Sequence, residues 1–525
     1  MIRMNVDETT LETGEGLIDV VKKIFWYQIF YKDAIGNDIR LMAYQKAMYN
    51  PKYIDVFKLK KLKKLDLTYD LIKPLCDTAA DTFLGRVPDI VTKAQKDEEK
   101  GKEDKEIENI SNLTLKMKQN EFEEEISDVA LEMGITGCGF LCLYNENGAT
   151  FPKYRSLDPL YTNVVYDCSV AMKRLFAYNI YYDVDNLGKG RYVCIIYTKN
   201  KMYAFYTGQI SVPAKMAFDI FPYNLFLIDG AQPTWQTNHD FKDIPIIEFI
   251  NNKHSISDCK AVLILIALYS ALMNNRFQNV DDIMNYLLFI KNARLGDEKQ
   301  AKDALELIKN YRVLPLEGDN TDARFLSNPL NQTDIQTLAN EIKRNIHSIS
   351  GIPDFTSVEF TQNASDPVLK AKTKPLLDLC LKKEKWFNKG YYKVLDLTLD
   401  FVEKFDKDTY KEVGFDLSKV DLVYTHTLPS NDTDMVNNIV NLGNQKLLAP
   451  RIALQGLSFI PNVDDYLKEV KSWNELIDKL ENLKNNNNSG NNQTNLERQN
   501  ATPQTREQMD NKNNFIKGVS KDLTK

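Results

Sequence analysis

The sequence predicts an α+β fold, and three stretches carry that expectation. Between Arg174 and Ile250 the runs RLFAYNIYYDV, RYVCIIYT, KMYAFYT and IPIIEFI are β-branched and aromatic, separated by Gly, Asn and Asp, which is how strands read. Two helical stretches, about Ser257 to Tyr286 and Thr333 to Ser350, flank a small polar excursion, and neither contains Pro or Gly. A long lysine-rich helical stretch begins at Asp366-Pro367, with Asp as N-cap and Pro in the first helical position.

Bulk properties narrow the class. At 525 residues and 43% hydrophobic content the chain can bury several cores, about two to four at typical domain sizes. Its seven cysteines are odd in number, and Cys138 and Cys142 lack the CxxC spacing, so they read as reduced thiols in a cytosolic setting. The N-terminus, MIRMNVDETTLETGEG, is acidic rather than basic-then-apolar, so no export is expected. The longest apolar run, Ala261 to Met273, falls short of the roughly 20 residues a membrane span needs and reads as a buried helix. A formal charge of −6 argues against a protein that grips nucleic acid, which needs an excess of Lys and Arg.

In chain order, residues 1 to about 70 read as helical, with an aromatic run Phe25 to Tyr31 and a basic run Lys58 to Lys64. Leu59, Leu62 and Leu65 recur at helical spacing in the latter, so a solvated amphipathic face competes there with a nucleic-acid patch. A helix from about Leu71 ends near Gly85 and Pro88. The mixed-charge stretch Lys96 to Asn109 cannot form a core and is expected as an exposed loop or fraying helix end. A helix from Glu121 to Gly134 leads into a hairpin turning at Asn145 to Gly148. Gly134, Gly137 and Gly139 follow a helix and precede a strand, the reverse of the phosphate-binding order.

Ser257 is placed to cap the first long helix. The second half of that helix spaces Met273, Phe277, Val280, Met284 and Leu287 three or four apart on one face, with Asn275, Gln278, Asn279, Asp281 and Asp282 opposite. A strand, Leu287 to Lys291, opens the polar excursion that contains Gly318-Asp319-Asn320. The second helix opens with a capping-box pattern, Thr333 to Gln336, and carries the stripe Ile335, Leu338, Ile342, Ile346 and Ile349. It stops at Gly351 and Pro353, and a polar loop follows. Pro375 should kink the long helix beyond. Lys370, Lys372, Lys374, Lys382, Lys383 and Lys385 make it locally basic, which reads either as a solvated face or as a phosphate-facing strip. A strand, Val420 to Pro429, precedes helices through about Leu483, and the Asn-rich tail after Asn485 is expected to be disordered.

Helix, polar excursion, helix, loop and long helix, in that order, resemble the stem, clip, stem, tunnel loop and tunnel helix of tailed-bacteriophage portal (head-to-tail connector) proteins of the siphophage type. Local motifs agree. Phe83-Leu84-Gly85-Arg86-Val87-Pro88 is similar to the family's "YLLGKPV" turn. Gly137-Cys138-Gly139-Phe140-Leu141 with Leu157-Asp158-Pro159 resembles "GYGFLYVY…IDP", and Pro245-Ile246-Ile247-Glu248-Phe249-Ile250-Asn251-Asn252 resembles "PIIEFKNN", the most specific match. NASDPVLKAKTKPLLDLCLKKEKWF resembles the tunnel-helix segment, departing at Asp366-Pro367 where the family tends to Gly-Val, and Leu428-Pro429-Ser430-Asn431-Asp432 resembles "LPSNDTE".

The resemblance implies a wing at 1–254, stem helices at 255–286 and 331–350 around a small α/β clip at 287–330, and a tunnel loop at 351–366. It further implies a kinked tunnel helix returning to the wing at 367–431, a helical crown at 432–484 and the tail at 485–525. Phe355, Thr356, Ser357, Gln362, Asn363 and Ser365 would line the channel, with Lys370, Lys372 and Lys374 behind them. Met273, Phe277, Val280, Asp281, Ile342, Lys343 and Arg344 would belong to the stem, and Lys291, Arg294, Asp319 and Asn320 to the clip.

Implied as well are a self-assembled ring, a dodecamer, at one capsid vertex of a virion assembled in the host cytoplasm, and passage of double-stranded DNA during packaging and ejection. The implied partners are the terminase large subunit, major capsid and scaffolding proteins and head-completion adaptors, with no membrane and no cofactor. An acidic wall suits a conduit that must not hold its cargo.

No enzyme is expected. His239, His254, His347 and His426 form no HExxH, there is no GxxxxGK[ST], and Ser257 to Lys260 fits SxxK only as a helix cap. The residues also admit a second reading, an intracellular, non-enzymatic binding protein with a β-rich recognition domain.

Overall fold

The computed structural model describes residues 2–30, 39–49, 71–92, 100–146, 148–184, 190–206, 232–284, 287–291, 322–326, 332–357, 360, 366–426, 428 and 470–472. The chain divides into two compact units, one of Met1–Gln362 and Lys370–Pro429, the other of Asn363–Leu369 and Ser430–Lys525. Of the second unit, only 366–369 and 470–472 are described.

In order, the chain forms β1 (Ile2–Arg3), α1 (Glu8–Thr13), α2 (Leu17–Phe30), α3 (Ile39–Tyr49), α4 (Ile72–Leu84), β2 (Asp89–Thr92), α5 (Lys100–Gln119) and α6 (Phe122–Thr136). Strands follow: β3 (Cys138–Tyr144), β4 (Lys153–Leu157), β5 (Thr162–Tyr166), β6 (Arg174–Val184), β7 (Gly190–Tyr197), β8 (Lys201–Tyr206), β9 (Trp235–Asn238) and β10 (Ile246–Ile250). Then come α7 (Leu263–Met284), the paired strands β11 (Leu287–Lys291) and β12 (Asp322–Leu326), α8 (Gln332–Ser350), α9 (Asp366–Phe405), α10 (Lys407–Val413) and β13 (Val420–Val423).

Strands β1-β5-β6-β7-β8-β9 form one sheet, antiparallel except for the β1–β5 pair. A second sheet, β10-β3-β4, is the wall between two cores. Side chains alternate across a strand, so Cys138, Phe140 and Cys142 of β3 join Ile246 and Ile250 of β10 on one face, against α2 and the large sheet. Leu141 and Leu143, with Ile247 and Phe249, point the other way into a core shared with α4, α6, α7, α8 and α9. Both faces being covered explains why β3 and β10 are near-continuous apolar runs rather than alternating ones. The one acid among them, Glu248, accepts a hydrogen bond from the Tyr166 hydroxyl at 2.7 Å.

Gly137 ends α6 at φ +96°, and a Cβ there would lie 2.2 Å from the Ser255 carbonyl oxygen, so only glycine lets 251–259 lie against the end of this helix. The stretch Lys96–Asn109, expected as a loop or frayed end, is corrected from Lys100 onward. It is the first half of α5, where Asn109 and Ile110 are already buried and the Asn109 amide donates to the Gly414 carbonyl at 2.7 Å. The expected strand Val420–Pro429 shortens to β13, paired with β2. Pro375 lies inside α9. The basic run Lys58–Lys64, the crown helices through Leu483, apart from 470–472, and the Asn-rich tail lie outside the described residues.

Candidate functional site

Between the two helices assigned to the stem by resemblance, α7 and α8, the chain forms the antiparallel pair β11–β12, in which Lys291 stands opposite Asp322. The expected cap by Ser257 does not form, because the residue in the capping position is Cys259, which makes no side-chain cap. The Ser257 hydroxyl instead accepts from the Cys259 N–H at 3.1 Å and donates to the Gly134 carbonyl at 3.0 Å, ahead of a short 3-10 turn, Lys260–Val262, after which α7 begins at Leu263. The reading of Ala261–Met273 as buried all round is corrected. Val262, Leu263, Ile266 and Ser270 are buried, whereas Ile264 is 81% exposed and Leu268 51%.

On α8 the buried face is Ala339, Ile342 and Ile346, while Leu338 and Ile349 of the expected stripe are about half-exposed. The expected capping box does not form, because Thr333 lies within the helix and its carbonyl accepts from the Thr337 hydroxyl. Gln336 instead accepts from Arg276 of α7 at 2.6 Å and donates to Asn340, a polar tie between the two helices. Met273 is half-buried and Arg344 exposed; Phe277, Val280 and Asp281 lie in α7 with their side chains outside the described set.

Gly351, at φ +73°, ends α8 with its N–H on the His347 carbonyl, the left-handed stop the sequence suggested. The loop beyond is tied back to α8 by charge. Asp354 pairs with Lys343 at 2.6 Å and accepts from the Thr356 N–H and hydroxyl, and the His347 ring bonds the Ile352 carbonyl. Partial burial alone would raise the Asp354 carboxyl, but the Lys343 and Thr356 hydrogen bonds outweigh it and hold the group below its ordinary value.

Phe355 meets Phe360 edge to face at 4.9 Å, and the Lys372 ammonium lies 5.5 Å from the Phe360 ring centre and donates to its carbonyl. Thr356 is exposed and Ser357 half-buried; Lys370 and Lys374 are exposed. Gln362, Asn363 and Ser365, with Arg294, Asp319 and Asn320, lie outside the described residues.

One pair went unnoticed in the sequence. Lys383, read with the basic strip, is fully buried in an ion pair with Asp258, which precedes α7. The signal was present: Leu376, Cys380 and Phe387 surround Lys383 at helical spacing, so it sits on the apolar face of α9. Beside it Glu384 bonds His426 at 2.6 Å, and the Cys76 and Cys259 sulfurs are 3.4 Å apart.

Among the described residues no group of His, Cys, Asp and Glu could hold a metal ion, and no helix is long and apolar enough to cross a membrane. All seven cysteines are free thiols. Compared with known proteins, the chain matches no curated sequence. A family model described as phage portal protein, SPP1 Gp6-like, matches residues 52–483, the greater part of the chain and the whole run from α4 through α9. The chain therefore belongs to the SPP1 Gp6-like phage portal protein family.

Proposed function

We propose that copies of this chain form a closed ring, a dodecamer by family resemblance, at one capsid vertex, and that double-stranded DNA passes through it during packaging and ejection. The observation that carries this reading is the bare apolar stripe on the α7–α8 pair. Ile264 and Leu268 on one helix and Leu338 and Ile349 on the other are exposed, while Ile266, Ala339, Ile342 and Ile346 of the same pair are buried inside the chain. Such a surface costs free energy in water until something covers it, and a ring of identical copies covers it for every member at once.

In this arrangement α7 and α8 are the stem and the β11–β12 pair belongs to the clip, where a terminase docks during packaging and head-completion proteins dock afterwards. Major capsid and scaffolding proteins meet the wing. The loop after Gly351 narrows the channel, and the exposed Lys370 and Lys374 at the start of α9 meet passing phosphates. The chain's work is geometric: it shapes a passage and presents surfaces, and the energy for pumping comes from the docked motor.

Native mass measurement with negative-stain imaging tests the reading. Rings with a central hole are expected; monomers at every concentration would overturn it. Deleting Phe355–Asn363 should leave ring assembly intact while lowering DNA packaging in a complementation assay, and a loss of rings in that variant would remove this segment from the channel lining.

A further inference from the structure

The buried pair Asp258–Lys383 joins the segment that leads into α7 to the middle of α9. Both side chains are 1% exposed. The second carboxylate oxygen of Asp258 accepts from the Asn251 amide at 2.8 Å, and the Asp258 N–H donates to the Gly134 carbonyl at 3.1 Å. A Cβ on Gly134 would lie 3.1 Å from the Asp258 carboxylate and 3.9 Å from the Lys383 nitrogen, so α6 closes the site from behind. Phe83 covers Lys383 at 5.8 Å from its ring centre.

Stability alone does not ask for charge here, because a buried ion pair is commonly no more stabilising than an apolar pair of the same volume. What charge adds is position. One turn along the buried face of α9 in either direction from Lys383 stand Cys380 and Phe387, and neither offers a cation to a carboxylate. If α9 slid by one turn, about 5.4 Å, Asp258 would be left buried without a cation. A purely apolar contact would tolerate smaller slips. Pro375 lies between Lys383 and the loop-facing Lys372, and it leaves the helix one backbone hydrogen bond short. Without a fixed point beyond Pro375, a displacement at the loop could be taken up by sliding of the rest of α9.

We propose that Asp258 and Lys383 are positioning residues that lock the axial register of α9 against the approach to α7, so that a displacement at the loop end of α9 reaches the base of the stem. The proposal rests on the portal reading for its meaning, and on the geometry of one subunit for its test.

Hydrogen exchange on the full-length protein reads the lock directly. Phe360→Ala removes the ring that Phe355 and Lys372 hold, and so perturbs the loop end of α9. In the parent protein this substitution should speed exchange at the amides of 258, 259 and 262 roughly fivefold or more, the lower end of typical coupling between sites. In the background Asp258→Asn with Lys383→Met, which keeps volume and removes charge, the same substitution should still speed exchange in α9 but leave those three amides unchanged. If they respond equally in both backgrounds, or do not respond in the parent, the lock does not exist.

Should the uncharged pair fail to fold, Asp258→Lys with Lys383→Asp reverses the charges and should restore the response; a folded reversed pair without it also overturns the proposal. The measurement needs no ring. A protein that stays monomeric would sink the portal reading and leave this one standing, whereas rings with no response would do the opposite.

Discussion

The β10-β3-β4 wall and the α7–α8 pair are both apolar on more than one side, yet they end differently. The wall has both faces covered inside one chain, with Phe140 and Leu141 each fully buried on opposite faces. The helix pair has one face covered, so that Ile266 is buried while Ile264, two residues earlier, is 81% exposed. An apolar run read along the sequence says that more than one side will be covered. It does not say whether the second cover is the same chain or another copy.

Substitutions on the two sides of that contrast should behave oppositely. Phe249 is fully buried on the wall, 4.8 Å from the Phe387 ring, with no room for a Cβ on Gly390 beside it. Phe249→Ala should cost about 3–5 kcal/mol in denaturant unfolding, and Gly390→Ala, which adds volume at the same place, about 1–3 kcal/mol. Ile264→Asp should leave subunit stability within about 0.5 kcal/mol and remove rings from the native mass spectrum. An Ile264→Asp protein that still assembles would move the subunit interface off this stripe.

Glu132 of α6 sharpens the covered side. It pairs with Lys46 of α3 at 2.8 Å, but its second oxygen has no partner, and burial pushes its carboxyl up to about 7 despite the lysine. The folded state therefore holds this proton more tightly than the unfolded state does. Its contribution is fully present below the ordinary Glu value and is lost as pH rises toward about 7. Glu132→Gln should be neutral in acid and stabilising by about 1 kcal/mol above pH 7, allowing for partial solvent contact. Denaturant midpoints at two pH values check it, and an unchanged pH dependence would mean that Lys46 already neutralises the site.

Much of this was legible in the residues, because strands with flanking turns and helices without Pro or Gly are local patterns. The β11 strand, Leu287–Lys291, and the stop at Gly351 were read to the residue. What failed was long-range. The capping box at Thr333 did not form because the helix already begins at Gln332, and Gln336 bonds across to Arg276 of α7. The mixed-charge start of α5 looked too polar to fold alone, and it is held by Gly414 and Glu412, some three hundred residues away in the sequence. Lys383 belonged to a strip that read either as solvated or as phosphate-facing; its apolar neighbours at helical spacing point to burial, but nothing near it in sequence names Asp258 as its partner. Charged groups are misplaced by sequence reasoning where their partners lie far along the chain.

The smallest expected effect is at the end of α8, where the covered pair passes into the loop. Asp354 keeps two hydrogen bonds from Thr356 when Lys343 is removed, so Lys343→Ala should cost less than about 1 kcal/mol, the range of partly exposed ion pairs. The pH behaviour is more telling than the size. Because the Asp354 carboxyl is held below its ordinary value, its contribution is full above that value and is lost as pH falls through the lowered one, in the acid range below about pH 4. Lys343→Ala should bring the carboxyl back toward the ordinary range in an NMR titration and flatten that acid loss. A carboxyl that does not move would show that Thr356, rather than Lys343, fixes the loop at its base, and with it that the loop is held by its own backbone instead of by the helix before it.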